Sequence, residues 1–180
     1  MNISKYIAQV LIAVFTMSTL TFAQSAKSIE KDANKALEEF YNDVAGSKKF
    51  LAKANGYVVF PEVTEAGFIF GGRYGEGVLR VNGVSKSYHS IASASVGPQI
   101  GAQTYSLIIV FTSETALRKF IHDDDWEADM DFNIAMAEWN SEEELDEIDF
   151  GDNMIGFVFD SAGLMGNFTM EGTRFEKINP

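Results

Sequence analysis

The dipeptide Asn82-Gly83 constrains the fold of this chain more than any other short stretch of its sequence. It lies between an apolar run at Gly77–Val81 and an alternating run at Lys86–Val96. Asn-Gly favours the positive φ angles of a two-residue turn whose twist matches two antiparallel strands. The sequence therefore predicts a β-hairpin here. A further apolar run, Tyr105–Thr112, is typical of a central strand.

Helical periodicity appears on both sides of these runs. Residues Ser25–Gly46 repeat apolar side chains at spacings of three and four, which predicts an amphipathic helix. Shorter helices are predicted at Ser47–Ala54 and Ser113–Ile121. Additional strands are predicted at 57–63, where Pro61 closes the run, and at 131–139, 154–160 and 167–171. The pattern indicates an α+β domain, with a mainly antiparallel, glycine-rich sheet packed with N-terminal and mid-chain helices.

The glycine cluster GGRYGEG at 71–77 has two possible roles. A phosphate-binding loop requires strand, glycine turn and helix in that order, because the helix N-terminus supplies the donors. After Gly77 the sequence instead predicts a strand and a hairpin, so we expect glycines that let another layer pack closely. The small-residue stretch at 90–103 leaves two alternatives open, close packing or a groove for a slim apolar ligand such as an acyl chain.

Residues 1–23 have the layout of a secretory signal peptide. Lys5 supplies a positive charge, Tyr6–Phe22 is mostly apolar, and Thr21 and Ala23 place small residues before the cleavage point. A retained anchor is the alternative, but Gln9 interrupts a run shorter than the roughly 20 residues of a spanning helix. We expect cleavage after Ala23, a single domain at 24–180, and export to the periplasm or the exterior. The absence of cysteine excludes disulfides, a lipid-modified cysteine and thiolate metal sites.

The net charge is −12 at pH 7, and removing residues 1–23 with Lys5 makes it −13. Such a charge repels nucleic acid, so no nucleic-acid partner is expected. Carboxylates crowd residues 123–149, where oxygen ligands suit Ca²⁺ but the EF-hand spacing is missing. A solvated acidic surface is favoured there. We expect no metal site and no cofactor, while Ca²⁺ or a protein partner at 123–149 stays open.

Catalytic motifs are missing. The chain has two histidines, His89 and His122, and lacks the G-x-S-x-G turn of a serine nucleophile. We expect both histidines to be structural, we assign no catalytic residue, and we expect a protein that is not an enzyme.

Four blocks, AGFIFGGRYGEGVL, YHSIASASVGPQIGAQ, LIIVFTSETALRKF and SAGLMGNFTMEG, resemble successive blocks of the SYLF domain family. The resemblance runs in order from about Asn34 to Phe175. It implies a lipid-binding module without known catalysis. Eukaryotic relatives bind phosphoinositides and, in a yeast member, actin, whereas bacterial relatives are exported proteins.

The resemblance implies a lipid or membrane surface as partner. Phosphate headgroups require cations, and we select Lys48, Lys49, Arg73 and Lys86 as candidate lipid-binding residues. The helix at Ser28–Val44 is the expected membrane-facing element. The alternative function is an envelope scaffolding protein that uses its acidic face to bind a cationic protein partner.

Overall fold

The computed structural model describes residues 24–67, 70–96, 101–122, 125–127, 134–136, 145, 154–160, 163–164, 170 and 172–180. Within these ranges lie three helices: α1 (Ala26–Asp43), α2 (Ser47–Lys53) and α3 (Glu114–His122). The same ranges contain nine strands: β1 (Gly56–Gly67), β2 (Phe70–Val81), β3 (Val84–Val96), β4 (Gly101–Phe111), β5 (Asp125–Glu127), β6 (Ile134–Met136), β7 (Met154–Asp160), β8 (Gly163–Leu164) and β9 (Thr173–Ile178).

The strands form one sheet in the order β5-β9-β3-β2-β1-β4-β7-β6, and β8 pairs with β7. The six strands from β9 to β7 are antiparallel throughout, whereas β6 joins β7 in parallel. The α+β class and the mainly antiparallel sheet are therefore confirmed.

Several predicted elements agree closely with the structure. Asn82 and Gly83 form the β2–β3 turn with φ angles of 53° and 73°, as the hairpin prediction requires. Helix α1 begins after Ser25, whose hydroxyl accepts a hydrogen bond from the Ser28 amide. Helix α3 begins after Ser113, whose hydroxyl accepts one from the Ala116 amide.

Other predictions need correction or fall outside the described residues. Strand β9 was not among the predicted strands. Of the predicted strand at 131–139, the structure describes 134–136 as β6. The predicted strand at 167–171, apart from Met170, and the predicted signal peptide at 1–23 lie outside the described residues.

The prediction that Pro61 ends its strand is wrong. Strand β1 continues to Gly67 in the centre of the sheet, between β2 and β4. Both pairings shift register around Pro61, which marks a β-bulge that accommodates the missing amide donor. The Pro61 carbonyl accepts a 2.8 Å hydrogen bond from the Ser106 hydroxyl.

The glycine cluster lies inside β2 and is not a loop between two runs. A Cβ on Gly77 would lie against the Val59 carbonyl oxygen and 2.6 Å from Phe60 Cδ1. A Cβ on Gly75 would lie 2.8 Å from the carbonyl oxygen of Glu62. These glycines therefore let the bulged part of β1 approach β2 closely, which is the packing role that we expected.

The sheet is covered on both faces. On one face, here called the α1 face, α1 and α2 bury the sheet residues Tyr57, Val59, Val78, Ile108, Val110, Ile155, Phe157 and Phe159. On the opposite face, here called the α3 face, α3 packs on a cluster that includes Val58, Phe60, Leu79, Ile91, Leu107, Ile109, Phe111 and Phe175. Each helix contacts its face of the sheet through aromatic rings. The ring centroids of Phe40 in α1 and Phe157 are 5.1 Å apart, and those of Phe120 in α3 and Phe111 are also 5.1 Å apart.

The apolar stripe of α1 belongs to this core. Its members Ile29, Ala33, Ala36, Leu37 and Phe40 are all buried. Burying a Leu, Ile or Phe side chain stabilises a fold by about 1.5–3 kcal/mol. The expectation of a membrane-facing helix at Ser28–Val44 is therefore wrong in this arrangement, because the side that would enter lipid holds the helix on the sheet.

Candidate functional site

The exposed side of α2 carries a concentration of positive charge. Its sequence, SKKFLAK, contains three lysines and no acid. Ser47, Phe50 and Leu51 are buried and fix the helix on the core. The three lysines, Lys48, Lys49 and Lys53, point to the exposed side. The structure thus brings two of the four candidate lipid-binding residues together on one short helix.

A groove of about 410 Å³ lies beside Lys48. Its lining comes from the α1–α2 region, the start of β1 and the β2–β3 turn: Tyr41, Lys48, Leu51, Ala52, Ala54, Tyr57, Asn82 and Gly83. Burial and the neighbouring Tyr57 raise the pKa of Tyr41 to about 12, so this hydroxyl stays protonated at neutral pH. The groove therefore offers a cation, two tyrosines and aliphatic surface together.

Arg73 has a different environment. Its guanidinium forms a 3.4 Å ion pair with Glu65 on the adjacent strand, and the two side chains are only 9% and 12% exposed. A second nitrogen donates to the Thr173 hydroxyl at 3.4 Å. The Tyr105 hydroxyl also donates to Glu65, and burial raises the pKa of Tyr105. Contact between Arg73 and a headgroup stays a prediction, and it would compete with this pairing.

Lys86 is exposed on β3, just past the β2–β3 turn. Arg73 lies nine residues before that turn on β2, which at about 3.3 Å per strand residue is about 30 Å away. Lys48 borders the turn through the groove. Arg73 and Lys48 therefore cannot hold one headgroup together.

Arg80 forms an ion-pair network that sequence reasoning missed. Its guanidinium donates to Glu30 at 2.7 Å and to Asn34 at 2.8 Å, both on α1, and Tyr88 donates to Glu30 at 3.2 Å. Burial alone would raise the pKa of Glu30. Hydrogen bonds from Ser85, Arg80 and Tyr88, together with the Arg80 charge, outweigh it and lower that pKa. A single arginine inside the apolar run GVLRV at 77–81 is the sequence feature that could have indicated a buried ion pair.

A second groove, of about 470 Å³, lies near the start of α1. Its lining includes Gln24, Glu62, Thr64, Tyr74 and Glu76. Glu76 is 7% exposed and accepts hydrogen bonds from the Gln24 backbone nitrogen at 2.9 Å and the Tyr74 hydroxyl at 2.7 Å. Partial burial and this bond to Glu76 raise the pKa of Tyr74 to about 12. No sequence signal linked Gln24 to Glu76, because 52 positions separate them.

The two histidines occupy different environments. His89 is 3% exposed, its Nε2 lies 2.7 Å from the Ser87 hydroxyl, and its ring lies 4.6 Å from that of Phe120. Ser87 and His89 are two residues apart on one strand, and neither lines the two grooves described above. His122 is exposed at the end of α3. His89 therefore packs in the core against Phe120, while His122 is exposed at the end of that helix.

The described residues contain neither a metal-binding cluster nor a membrane-spanning helix. Within the ranges that the structure describes, no three His, Asp or Glu side chains are grouped so as to hold a metal ion. No helix in those ranges has the length and apolar character needed to cross a bilayer. Most of the acidic segment at 123–149 lies outside them, so its possible Ca²⁺ or protein binding stays an open prediction.

Comparison with known proteins identifies the C-terminal part of the chain. The family model Ysc84, described as a Las17-binding protein actin regulator, matches residues 92–179. That description names binding and regulation and no reaction, so the matched family is one of binding domains. The match begins inside β3, so the resemblance of the block at 66–79 stays a prediction. No curated protein matches the chain. The segment 92–179 therefore matches the Ysc84, or SYLF-domain, family, in agreement with the resemblance of the sequence blocks at 107–120 and 161–172 and of most of the block at 88–103.

Proposed function

We propose that this chain is an exported, non-enzymatic domain that binds a lipid or membrane surface through the exposed side of α2 and the groove beside it. The observation that carries the proposal is the cationic surface of α2 on a chain of net charge −12. Each lysine close to an anionic membrane surface contributes about 1 kcal/mol of attraction.

The groove supports the proposal through its chemistry. Tyr41 and Tyr57 combine an apolar ring with a polar hydroxyl, which suits the boundary between headgroups and acyl chains. Leu51, Ala52 and Ala54 supply aliphatic surface beside Lys48. A phosphate headgroup would lie on the lysines while its glycerol and upper acyl region enter the groove.

Export rests on the signal-peptide pattern of residues 1–23. The absence of a catalytic role rests on the binding description of the matched family and on the core position of His89.

Vesicle flotation tests the lipid proposal. The protein starting at Gln24 is expected to float with phosphatidylcholine vesicles that contain phosphatidylglycerol, and less with pure phosphatidylcholine. Lys48→Gln with Lys49→Gln should weaken binding about 30-fold, at about 1 kcal/mol per lysine. The matched control is Lys31→Gln with Lys35→Gln, which removes the same charge from exposed positions on α1 and should leave binding nearly unchanged. No binding to any vesicle composition contradicts the lipid proposal.

A protein partner is the second candidate, favoured by the family description, which names a bound protein. A cationic partner would meet the acidic side of the chain. Capture of this partner should be lost as the salt concentration rises, because exposed charge pairs are screened within about 10 Å at 0.1 M salt. Capture should be unchanged in the variant with Lys48→Gln and Lys49→Gln, because the partner would meet acidic residues.

A further inference from the structure

Glu76 is a buried carboxylate, and its two hydrogen-bond donors among the described residues are both neutral. It lies in the middle of β2 and accepts from the Gln24 backbone nitrogen and the Tyr74 hydroxyl. Its carboxylate makes no ion pair with any Lys, Arg or His of the residues that the structure describes. Holding a carboxylate out of water without a cation is costly, so such a group is a receptor for positive charge.

Gln24 is also the residue that would follow the signal-peptidase cleavage point. The sequence pattern places cleavage after Ala23. In that reaction water adds across the Ala23–Gln24 amide bond. Ala23 leaves with a carboxylate, and the Gln24 nitrogen becomes an α-amino group that takes up a proton. The atom already held 2.9 Å from Glu76 Oε2 is therefore the atom that gains a positive charge.

We propose that Glu76 is the receptor site for the processed N-terminus, and that cleavage after Ala23 creates an ion pair between the Gln24 α-ammonium and the Glu76 carboxylate. In the unprocessed chain the neutral Gln24 amide donates to the charged carboxylate, whereas after cleavage both partners are charged and the hydrogen bond becomes an ion pair. This inference rests on the proposed export and is independent of lipid binding.

The surroundings favour a cation at this position. The groove around Gln24 is open, so the additional ammonium hydrogens can be hydrated. The charged and titratable groups facing the pair are Glu62 of β1, Arg73 and Tyr74 of β2, and Glu176 of β9, which acts on Tyr74. Arg73 is paired with Glu65, so the field at Glu76 is set mainly by acids.

The ion pair would also protect the new N-terminus. An N-terminal glutamine cyclises when its free α-amine attacks its own side-chain amide carbon and ammonia leaves. An amine held protonated on Glu76 cannot attack. The exported protein should therefore keep a linear Gln24.

The test compares three N-termini in two backgrounds, without lipid. The proteins are the chain starting with a free Gln24 amine, the same chain with an acetylated amine, and the chain with Gly-Ser before Gln24. Each is made with Glu76 and with Glu76→Gln. The glutamine amide oxygen can still accept from Gln24 while its amide nitrogen donates to the Tyr74 hydroxyl, so this variant should fold, as far-UV circular dichroism would check. The free amine should raise Tm by about 2–4 °C over both blocked forms. This gap should vanish in Glu76→Gln and persist in the control Glu62→Gln.

Two further readouts separate the ion pair from general stability. The Tm gap should be complete below the ordinary α-amine pKa of about 8 and disappear as pH rises through the higher pKa of the paired amine. Loss of ammonia, followed by mass spectrometry, should be faster in Glu76→Gln than in the parent. An exported protein that begins at a residue other than Gln24, or a Tm gap that is absent or equal in both backgrounds, would overturn the proposal.

Discussion

The two ends of the central strands differ in the residues that they place on the faces of the sheet. At the end near Gly56 and Val81, helices cover both faces and the strand residues are almost entirely apolar. At the end near Gly67 and Phe70, exposed small residues such as Thr64, Ala66 and Gly72 replace that core on the α1 face. Polar contacts stabilise this open end. On the α1 face, the same strands therefore carry a buried apolar core at one end and exposed small residues at the other.

The two arginines of β2 show the contrast most clearly. At the covered end, Arg80 connects the sheet to α1 through Glu30, 50 positions earlier. At the open end, Arg73 pairs with Glu65 on the neighbouring strand, eight positions earlier. The first ion pair docks α1 on the sheet, and the second joins two adjacent strands.

Removing Arg73 should have the largest effect. Arg73→Met leaves the Glu65 carboxylate buried without its cation and should cost about 3 kcal/mol, measured by urea unfolding. Arg80→Met should cost less, about 2 kcal/mol, because Glu30 is 27% exposed and can regain water. Adding Glu65→Gln to Arg73→Met should recover part of the loss. An Arg73 variant as stable as the parent would show that this pair does not hold the open end together.

Glycine substitutions should separate the ends next. Gly77→Ala places a Cβ against the Val59 carbonyl and 2.6 Å from the Phe60 ring, and should cost about 2 kcal/mol by overpacking. The matched change Gly72→Ala meets its nearest atom, the Ser93 carbonyl oxygen, at 3.5 Å. It should be neutral or stabilise by up to about 1 kcal/mol, because it reduces the freedom of the unfolded chain. Equal losses at both positions would contradict the packing role assigned to Gly77.

The smallest effect should appear on acidification. The pKa of Glu30 is lowered in the folded protein from its ordinary value of 4.5, so its contribution is complete above that value. The contribution is lost as pH falls through the lower folded pKa, because the unfolded chain then binds more protons. In urea unfolding, Glu30→Gln should be less stable than the parent at pH 6, and this difference should narrow progressively as the pH falls below 4.5. If the difference in unfolding free energy between Glu30→Gln and the parent does not narrow, the contribution of Glu30 comes from hydrogen bonding and not from its charge.

Local patterns predicted the covered end well. The helical spacing of Ile29, Ala33 and Leu37 and the Asn82-Gly83 turn depend only on neighbouring residues. The SYLF blocks at 107–120 and 161–172, and the block at 88–103 from residue 92 onward, lie in the segment that the family model matches. The burial of the α1 stripe was missed, since an amphipathic helix has the same pattern whether it faces lipid or a sheet.

Contacts distant in sequence account for the rest. The alternation in TRFEKI was visible, yet nothing local placed β9 beside β3. Glu65 opposes Arg73 only because of the hairpin register between β1 and β2. The approach of Gln24 to Glu76 depends on where α1 lies on the sheet. The charge of Lys48 and Lys49 is visible in the sequence, whereas their shared exposed surface depends on the burial of Phe50 and Leu51.

The bulge at Pro61 has a consequence for how the strands find their alignment. Strands β2 and β3 are rich in Gly, Ser and Ala, and such strands can slide past a neighbour with little change in contact energy. Strand β1 shifts register at the same place against both β2 and β4, so a slip by either would misplace the bulge and the glycines that face it. Pro61 thus fixes the alignment of the sheet, because the bulge around it determines which residues of β2 and β4 lie opposite each residue of β1.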